Sequence, residues 1–281
     1  MPGLNAIEPL TRTLPLWAVA MILTVATLLA LEAGSWWGRR QHARSDAHSE
    51  RGVAKSDAQG YIIGSIFGLL AFLIGLTFSM ALDRFDDRRG WVAEEATAIS
   101  TAYLRADLFD EPFRSDLRAT LREYTHSRIV PDGISVTQLG RLTAQSEAIR
   151  GRLWHQTRAA VFPLRDSELG ESFVEAMNNA LVVGTRRRLA GLANVPTQVL
   201  DILFLYLLVS SAALGSLMGK EGNRQRYSSS MLIILFVLGI TLILDIDRPR
   251  GGSIKVSQQA LQQLAGSMDA DAQEQQQNSS V

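Results

Sequence analysis

Apolar residues in this chain fall into four long blocks, and the stretches between them hold nearly all of the charge. Residues 14–38, 60–82, 196–219 and 229–244 are almost free of Asp, Glu, Lys and Arg, whereas 39–59, 83–195 and 247–281 carry most of them. A helix rises about 1.5 Å per residue, so about 20 apolar residues cross a hydrocarbon layer of about 30 Å. Three blocks reach that length outright. The fourth reaches it when Ser228 to Ser230 begin the helix in the headgroup layer, because Met231 to Leu244 holds nothing more polar than Thr241. The pattern predicts an all-α protein with four transmembrane helices in two pairs, separated by a large helical insert outside the membrane.

The ends of the blocks refine this division. An N-terminal segment, 1–13, contains Glu8 and Arg12 rather than a basic cluster, and the first span, 14–38, is longer than a secretory signal core. Trp36-Trp37 followed by Arg39-Arg40 marks a membrane interface. A polar loop, 39–59, leads to the second span, 60–82, which meets no proline before Pro112 and only Gly90 beyond the membrane, so its helix is expected to continue as a rigid stalk. Within the insert, 83–195, apolar residues recur at helical spacing: Ile99, Ala102, Tyr103, Ala106 and Phe109; Phe113, Leu117, Leu121 and Tyr124; Leu139, Leu142, Ile149 and Leu153; Phe173, Met177, Ala180, Leu181 and Gly184. Breaks at Pro112, Pro131-Asp132-Gly133 and Pro163 predict about four helical pieces. The third span, 196–219, starts at Pro196, turns through the loop 220–228 and returns as the fourth span, 229–246, making a membrane hairpin. In the tail, 247–281, Ile254 to Leu264 is weakly amphipathic, and Gln273 to Val281 is expected to be disordered by composition.

Composition narrows the chemistry. Formal net charge is zero over 281 residues, so no global field draws the chain to nucleic acid. There is no cysteine, and His42, His48, His126 and His155 lack metal-ligand spacing, so the histidines are expected on the surface and no metal or cofactor site is expected. No phosphate-binding glycine loop, nucleophile triad or zinc motif occurs, which predicts that the chain is not an enzyme. The insert holds 16 arginines and 16 acids without a lysine, which suits a surface laced with ion pairs. Near the membrane, eight positive charges on the loop side face ten on the insert side, and the denser charge of the short loops leans towards an external insert.

Three groups of residues are candidates for function. Glu32 lies within the first span, where a carboxylate at the bilayer centre costs about 2.5–3.5 kcal/mol on insertion scales. It is either an ion or proton site, or an interfacial carboxylate paired with Arg39 or Arg40. Asp83, Asp86, Asp87, Asp201, Asp245 and Asp247 lie near one membrane face, interleaved with Arg84, Arg88, Arg89, Arg248 and Arg250. They would form either a ring of oxygens for a hard cation or interhelical salt bridges at the bundle mouth. Finally, Ser65, Gly68, Phe72, Gly75, Leu76, Ser79 and Asp83 share one face of the second span. Small residues there either pack against another helix or line a pore with a Phe72/Leu76 constriction able to gate by dewetting.

The run GLLAFLIGLTFSMALDRFDDRRGWVAEEATAISTAYLRA, beginning at Gly68, and LDIDRPRGGSIKVSQQAL at 244–261 resemble the bacterial bestrophin-like membrane proteins, a group distantly related to bestrophins. True bestrophins are echoed in Ile74-Gly75-Leu76, Arg84-Phe85, Asp87 and Arg89. The resemblance implies a homo-oligomeric ion channel, pentameric in bestrophins, in a bacterial inner membrane. Its second helix would line an apolar neck for inorganic ions and its helical insert would lie in the cytoplasm. By position, Phe72 and Leu76 would be neck residues, and Gly68 stands where the family has a bulky side chain, which would widen the neck. Asp86 and Arg88 replace the family's tryptophan-rich segment, and its calcium-clasp motif has no match. The resemblance competes with a non-conducting membrane sensor or scaffold whose insert binds a partner or ligand.

Overall fold

Helix-forming residues run unbroken for long stretches of this chain, and the computed structural model is correspondingly all helical. It describes residues 14–45, 52–131, 133–217, 223–248 and 252–278. The expectations that involve Glu8, Arg12, His48, Arg51, Asp132, Lys220, Pro249, Arg250 and Gly251 lie outside the described residues. In chain order the helices are α1 (Leu16–Ser45), α2 (Gly52–Ala106), α3 (Phe113–Arg128), α4 (Val136–Val161), a 3-10 turn (Phe162–Leu164), α5 (Glu168–Ala190), α6 (Thr197–Leu217), α7 (Asn223–Asp247) and α8 (Gln259–Asn278). Leu16–Arg40, Gly60–Ala106, Thr197–Leu217 and Tyr227–Asp247 are long and apolar enough to cross a membrane. The chain divides into two units, one within 1–83 and 194–254 and the other within 84–193 and 255–281, with the boundary falling inside α2.

In the first unit α1 is the shared neighbour: it packs along α6 and also along α7, whereas the consecutive helices α6 and α7 meet only briefly. Small residues explain the choice. A Cβ added to Gly34 would run into the backbone carbonyl of Ala212, one on Gly38 into that of Ser216, and one on Gly215 into that of Leu31. Gly34 opposite Ala212 and Gly38 opposite Ser216 also show that α1 and α6 run parallel. Lipid supplies no hydrophobic drive between helices, so close van der Waals approach at such residues holds spans together. Thr27, Ser35, Ser210 and Ser211 are buried in the same unit. Their hydroxyls return to carbonyls one turn back, as in Ser210 Oγ to Tyr206 O at 2.7 Å, so no donor is stranded.

The second unit has a water-soluble type of core. Ile99, Ala102, Leu117, Leu121, Ile149, Leu153, Phe173 and Met177 are all buried. Phe109 meets Phe173 edge to face, 4.7 Å between centroids. Each fully buried side chain of Leu, Ile, Phe or Met contributes about 1.5–3 kcal/mol. The breaks behave as turns with caps: Ser135 and Gln138 form a reciprocal capping box at the start of α4, and Ser167 accepts from the Gly170 N–H at the start of α5. Arg88, only 4% exposed, donates to the carbonyls of Ala190 (3.4 Å) and Ala193 (2.8 Å) at the end of α5, where orphan acceptors and the helix dipole favour a cation.

Three expectations are corrected. The polar loop 39–59 is largely helix, because α1 continues to Ser45 and α2 begins at Gly52. No proline interrupts this stretch, and a helix that leaves the bilayer keeps its backbone bonds in water. The loop 220–228 is likewise shortened, since α7 starts at Asn223 and 218–222 lie outside the described residues. The tail expected to be disordered from Gln273 is helical to Asn278. Leu261, Ala265 and Met268 recur at four- and three-residue spacing and are buried, which anchors α8 against α3. Glutamine-rich composition alone misses this, since glutamine is itself a good helix former.

Replacing Gly34 by leucine is expected to lower the thermal midpoint of the purified protein in detergent, since overpacking a tight contact costs about 1–3 kcal/mol. Gly64→Ala, where an added Cβ meets nothing within 4 Å, is the matched control and is expected to leave the midpoint unchanged or higher. Differential scanning fluorimetry on both variants checks this.

Candidate functional site

The membrane part of α2 has two unlike sides. Leu70, Thr77 and Ala81 are buried, Phe67 stacks on Phe236 of α7 at 5.5 Å, and Ile74 lies against Gly239 of α7. The Thr77 hydroxyl is spent on the Leu73 carbonyl, 2.8 Å away. On the other side Ser65, Gly68, Phe72, Gly75, Leu76, Ser79 and Asp83 are all exposed, Phe72 by 60% and Leu76 by 50%. A Cβ on Gly68 or Gly75 would meet nothing within 4 Å. The small residues of α2 therefore do not make a packing seam within the chain; that role belongs to Gly34, Gly38 and Gly215 on α1 and α6.

The charged candidates separate. In the first unit Asp247 Oδ1 accepts the Val195 N–H at 2.8 Å, just before α6. Asp245 accepts both the N–H of Ser253 (2.6 Å) and its hydroxyl, closing the turn after α7. Arg248 Nη1 donates to the Leu14 carbonyl at 2.8 Å, tying the start of α1. Asp201 is half-buried and Asp83 exposed. In the second unit Arg84 is half-buried, and Asp86 and Asp87 are exposed. Among the described residues, Asp83, Asp86, Asp87, Asp201 and Arg84 enter no ion pair, and no three acids or histidines gather as a metal-binding group. Asp247 and Asp245 thus make carboxylate-to-backbone bonds at the start of α6 and the end of α7. Glu32 is exposed and accepts from the Ser35 hydroxyl at 3.3 Å, and Arg39 donates to the same Ser35 oxygen at 3.4 Å. The expected link between Glu32 and Arg39 runs through Ser35, while Arg40 lies over the Trp36 ring at 3.5 Å.

Sequence reasoning missed the most buried charge. Glu95 of α2 is fully buried and binds two guanidiniums, Arg128 Nε at the end of α3 and Arg187 Nη1 on α5, each at 2.6 Å. Arg128 Nη2 also donates to the Gly184 carbonyl at 2.9 Å, and Arg187 Nη2 to Gln258 Oε1 at 3.2 Å. Gln258 in turn exchanges two bonds with the backbone of Val130, at 2.9 and 2.7 Å. Burial alone would lower the pKa of Arg128, but the Glu95 carboxylate beside it, together with Tyr124 and Glu147, outweighs this and holds it above the usual arginine value. Burial raises the Tyr124 phenol above its usual value, against the pull of Arg128. A Cβ on Gly184 would stand 2.7 Å from the Tyr124 oxygen and 2.8 Å from Glu95 Oε1, so glycine makes room for the hydroxyl and the carboxylate together. The available signal was an acid at Glu95 within the apolar stripe that continues through Ile99 and Ala102.

Against known proteins, a family model described as Bestrophin-like domain matches residues 26–261. No curated protein matches the chain. Among solved structures, a bacterial bestrophin homologue from Klebsiella pneumoniae carrying a leucine-to-threonine mutation is similar with a TM-score of 0.61 at 13% identity, over 90% of this chain and 97% of that one. The same homologue solved by Zn-SAD phasing gives 0.57 at 14% identity, over 88% and 97%. A structure described as a membrane protein with a proline-to-alanine mutation gives 0.58 at 14% identity, over 90% and 97%. At these identities the likeness shows the fold.

Glu95→Ala is expected to leave two buried guanidiniums without their carboxylate. Breaking such a group costs about 3–5 kcal/mol. Urea titration followed by Trp fluorescence is expected to show an early unfolding step in the variant that the wild type lacks.

Proposed function

The chain belongs to the Bestrophin-like domain family, and from that premise we propose that it is an ion channel of the bestrophin type in which α2 lines the conduction path. The observation that carries this reading is the open side of α2 from Ser65 to Asp83, opposite the side buried against its own chain. A membrane helix that offers glycine, serine and an acid on an uncovered face is suited to a surface shared between copies around an axis. Phe72 and Leu76 would form an apolar constriction, able to gate by dewetting. Gly68 and Gly75 would keep its flanks wide, and Ser65, Ser79 and Asp83 would supply polar mouths. Such a path needs several copies, five by resemblance to bestrophins. The helical unit would then stand in the cytoplasm of a bacterial cell, with the spans in its inner membrane. Glu32 and the Asp86, Asp87 and Asp201 carboxylates stand outside this path as structural or interfacial groups.

Ion flux into liposomes containing the purified oligomer tests the reading. Phe72→Ala and Leu76→Ala are expected to raise flux or change selectivity, and Asp83→Asn to lower cation flux relative to anion flux. No flux from any of these, from an intact oligomer, would assign the chain instead to a non-conducting sensor or scaffold. Orientation is tested separately: reporter fusions at residue 48 and within the insert are expected to report the periplasm and the cytoplasm respectively.

A further inference from the structure

The end of α5 turns leucine outward: Leu189 is 58% exposed, and Leu192, in the turn that follows, 68%. Along the chain both stand next to the membrane. Leu192 precedes Pro196, where the apolar block 196–219 begins, and an extended chain covers at most about 3.6 Å per residue, so Leu192 lies within about 15 Å of that block. The turn is also tied to α2, since Arg88 donates to the carbonyls of Ala190 and Ala193, and Arg88 comes shortly after Leu82, the last residue of the apolar block 60–82. The edge of the helical unit that exposes these leucines is therefore the edge at which two spans join it in the chain.

The same edge carries unspent positive charge. Arg187 binds Glu95 and Arg188 binds Glu147, but Arg186, exposed on the turn before Leu189, enters no ion pair among the described residues and lies over the Trp91 ring, 5.5 Å from its centroid. Trp91 is half-buried, one side of it against the apolar core of the unit. Arg84, Arg88 and Trp91 follow at four- and three-residue spacing on one flank of α2, and Arg84 likewise has no ion pair among the described residues. Tryptophan with arginine is the composition of a headgroup layer, where the ring sits among glycerol and carbonyl groups and the guanidinium reaches phosphate. An equivalent pair stands at the loop end of the first span, where Arg40 lies over Trp36 at 3.5 Å.

We propose that the end of α5 is an interfacial foot on the bilayer, with Leu189 and Leu192 dipping to the acyl boundary and Arg186 and Arg84 holding the phosphate of an anionic phospholipid. Exposed leucine beside free arginine is what such a surface requires, because apolar burial and attraction to anionic headgroups act together there. A second copy fits less well, since covering this edge would bury two guanidiniums for which the edge itself offers no carboxylate. The foot is independent of conduction. It clamps the joint between α5 and α6, so the charge of the lipid bears directly on where the helical unit meets its spans.

The test uses the full-length protein in phosphatidylcholine vesicles containing phosphatidylglycerol. The chain has no cysteine, so Leu189→Cys, Leu192→Cys and, as a control before the opposite end of α5, the exposed Phe162→Cys each carry one spin label. The ratio of collisions with oxygen to collisions with a neutral water-soluble nickel chelate is expected to be about tenfold higher at 189 and 192 than at 162. Lipid class is read from Trp91, made the sole emitter by Trp17→Phe, Trp36→Phe, Trp37→Phe and Trp154→Phe, all at exposed positions. Phosphatidylglycerol brominated near the headgroup end of its acyl chain is expected to quench Trp91 about twofold more than equally brominated phosphatidylcholine, and Arg186→Gln with Arg84→Gln to abolish the difference. Nickel access at 189 and 192 equal to that at 162 puts the leucines in water and overturns the proposal. So does exclusion of both reagents with an immobilised spectrum, which puts them under a second copy, and so does equal quenching by the two lipids in the chain with native arginines or an unchanged preference in the arginine variant.

Discussion

Hydrocarbon provides no hydrophobic force between helices, and this constraint orders the membrane unit. Spans can cohere only where backbones come close, so the positions of the smallest residues decide which helices become neighbours. Gly34, Gly38 and Gly215 place backbone against backbone between α1 and α6. With that seam fixed, α1 also covers part of α7, and α2 is left to touch α7 through larger side chains, Phe67 on Phe236 and Ile74 on Gly239. A helix held on one side only is the direct consequence, and the exposed glycines of α2 follow from the seam lying elsewhere.

The helical unit obeys the opposite rule. There water supplies the drive, and a stripe of Ile99, Ala102, Leu117, Leu121 and Phe173 builds an ordinary core. Glu95 interrupts that stripe, and an isolated carboxylate at full burial is not tolerated without partners. Arg128 and Arg187 answer the requirement from two other helices, and Gln258 extends the network to the segment that leads into α8. One acid thereby fixes the mutual placement of α2, α3 and α5 within this unit more narrowly than apolar packing would, because its bonds are directional. The same arrangement places Arg128 beside Tyr124 and Gly184.

Periodicity carried most of the fold. The four spans, the long continuation of α2 and the breaks at Pro112 and Pro163 are visible in the spacing of apolar residues and prolines, since these reflect local backbone physics. Partner choice was less visible. Gly34 and Gly38 stand four apart within an apolar run, the pattern expected of a close helix contact, yet the glycines of the second span are as prominent, and nothing in one chain says which set is used. Asp245 and Asp247 look like half of an ion-pair network in sequence, but they accept N–H groups of Ser253 and Val195, partners that carry no sequence signature. The helix at the C-terminus was obscured by its glutamines. Its anchor, Leu261, Ala265 and Met268, is a sparse stripe that becomes meaningful only once the α3 surface it covers is known.

The open face of α2 is a problem of solvation as much as of function. Facing lipid, Ser65 and Ser79 would still satisfy their hydroxyls within the helix, as Ser65 does on the Tyr61 carbonyl at 2.9 Å, and Phe72 and Leu76 would be comfortable. Asp83 would not, because a carboxylate at the hydrocarbon boundary is costly unless it reaches water or a cation. An axis shared by several copies resolves both demands at once. The apolar level at Phe72 and Leu76 can narrow to a dry constriction, while the carboxylates converge where water is present. On the proposed reading the uncovered side of α2 meets other copies of itself around water, so the proposed path and the requirement for an oligomer stand or fall as one.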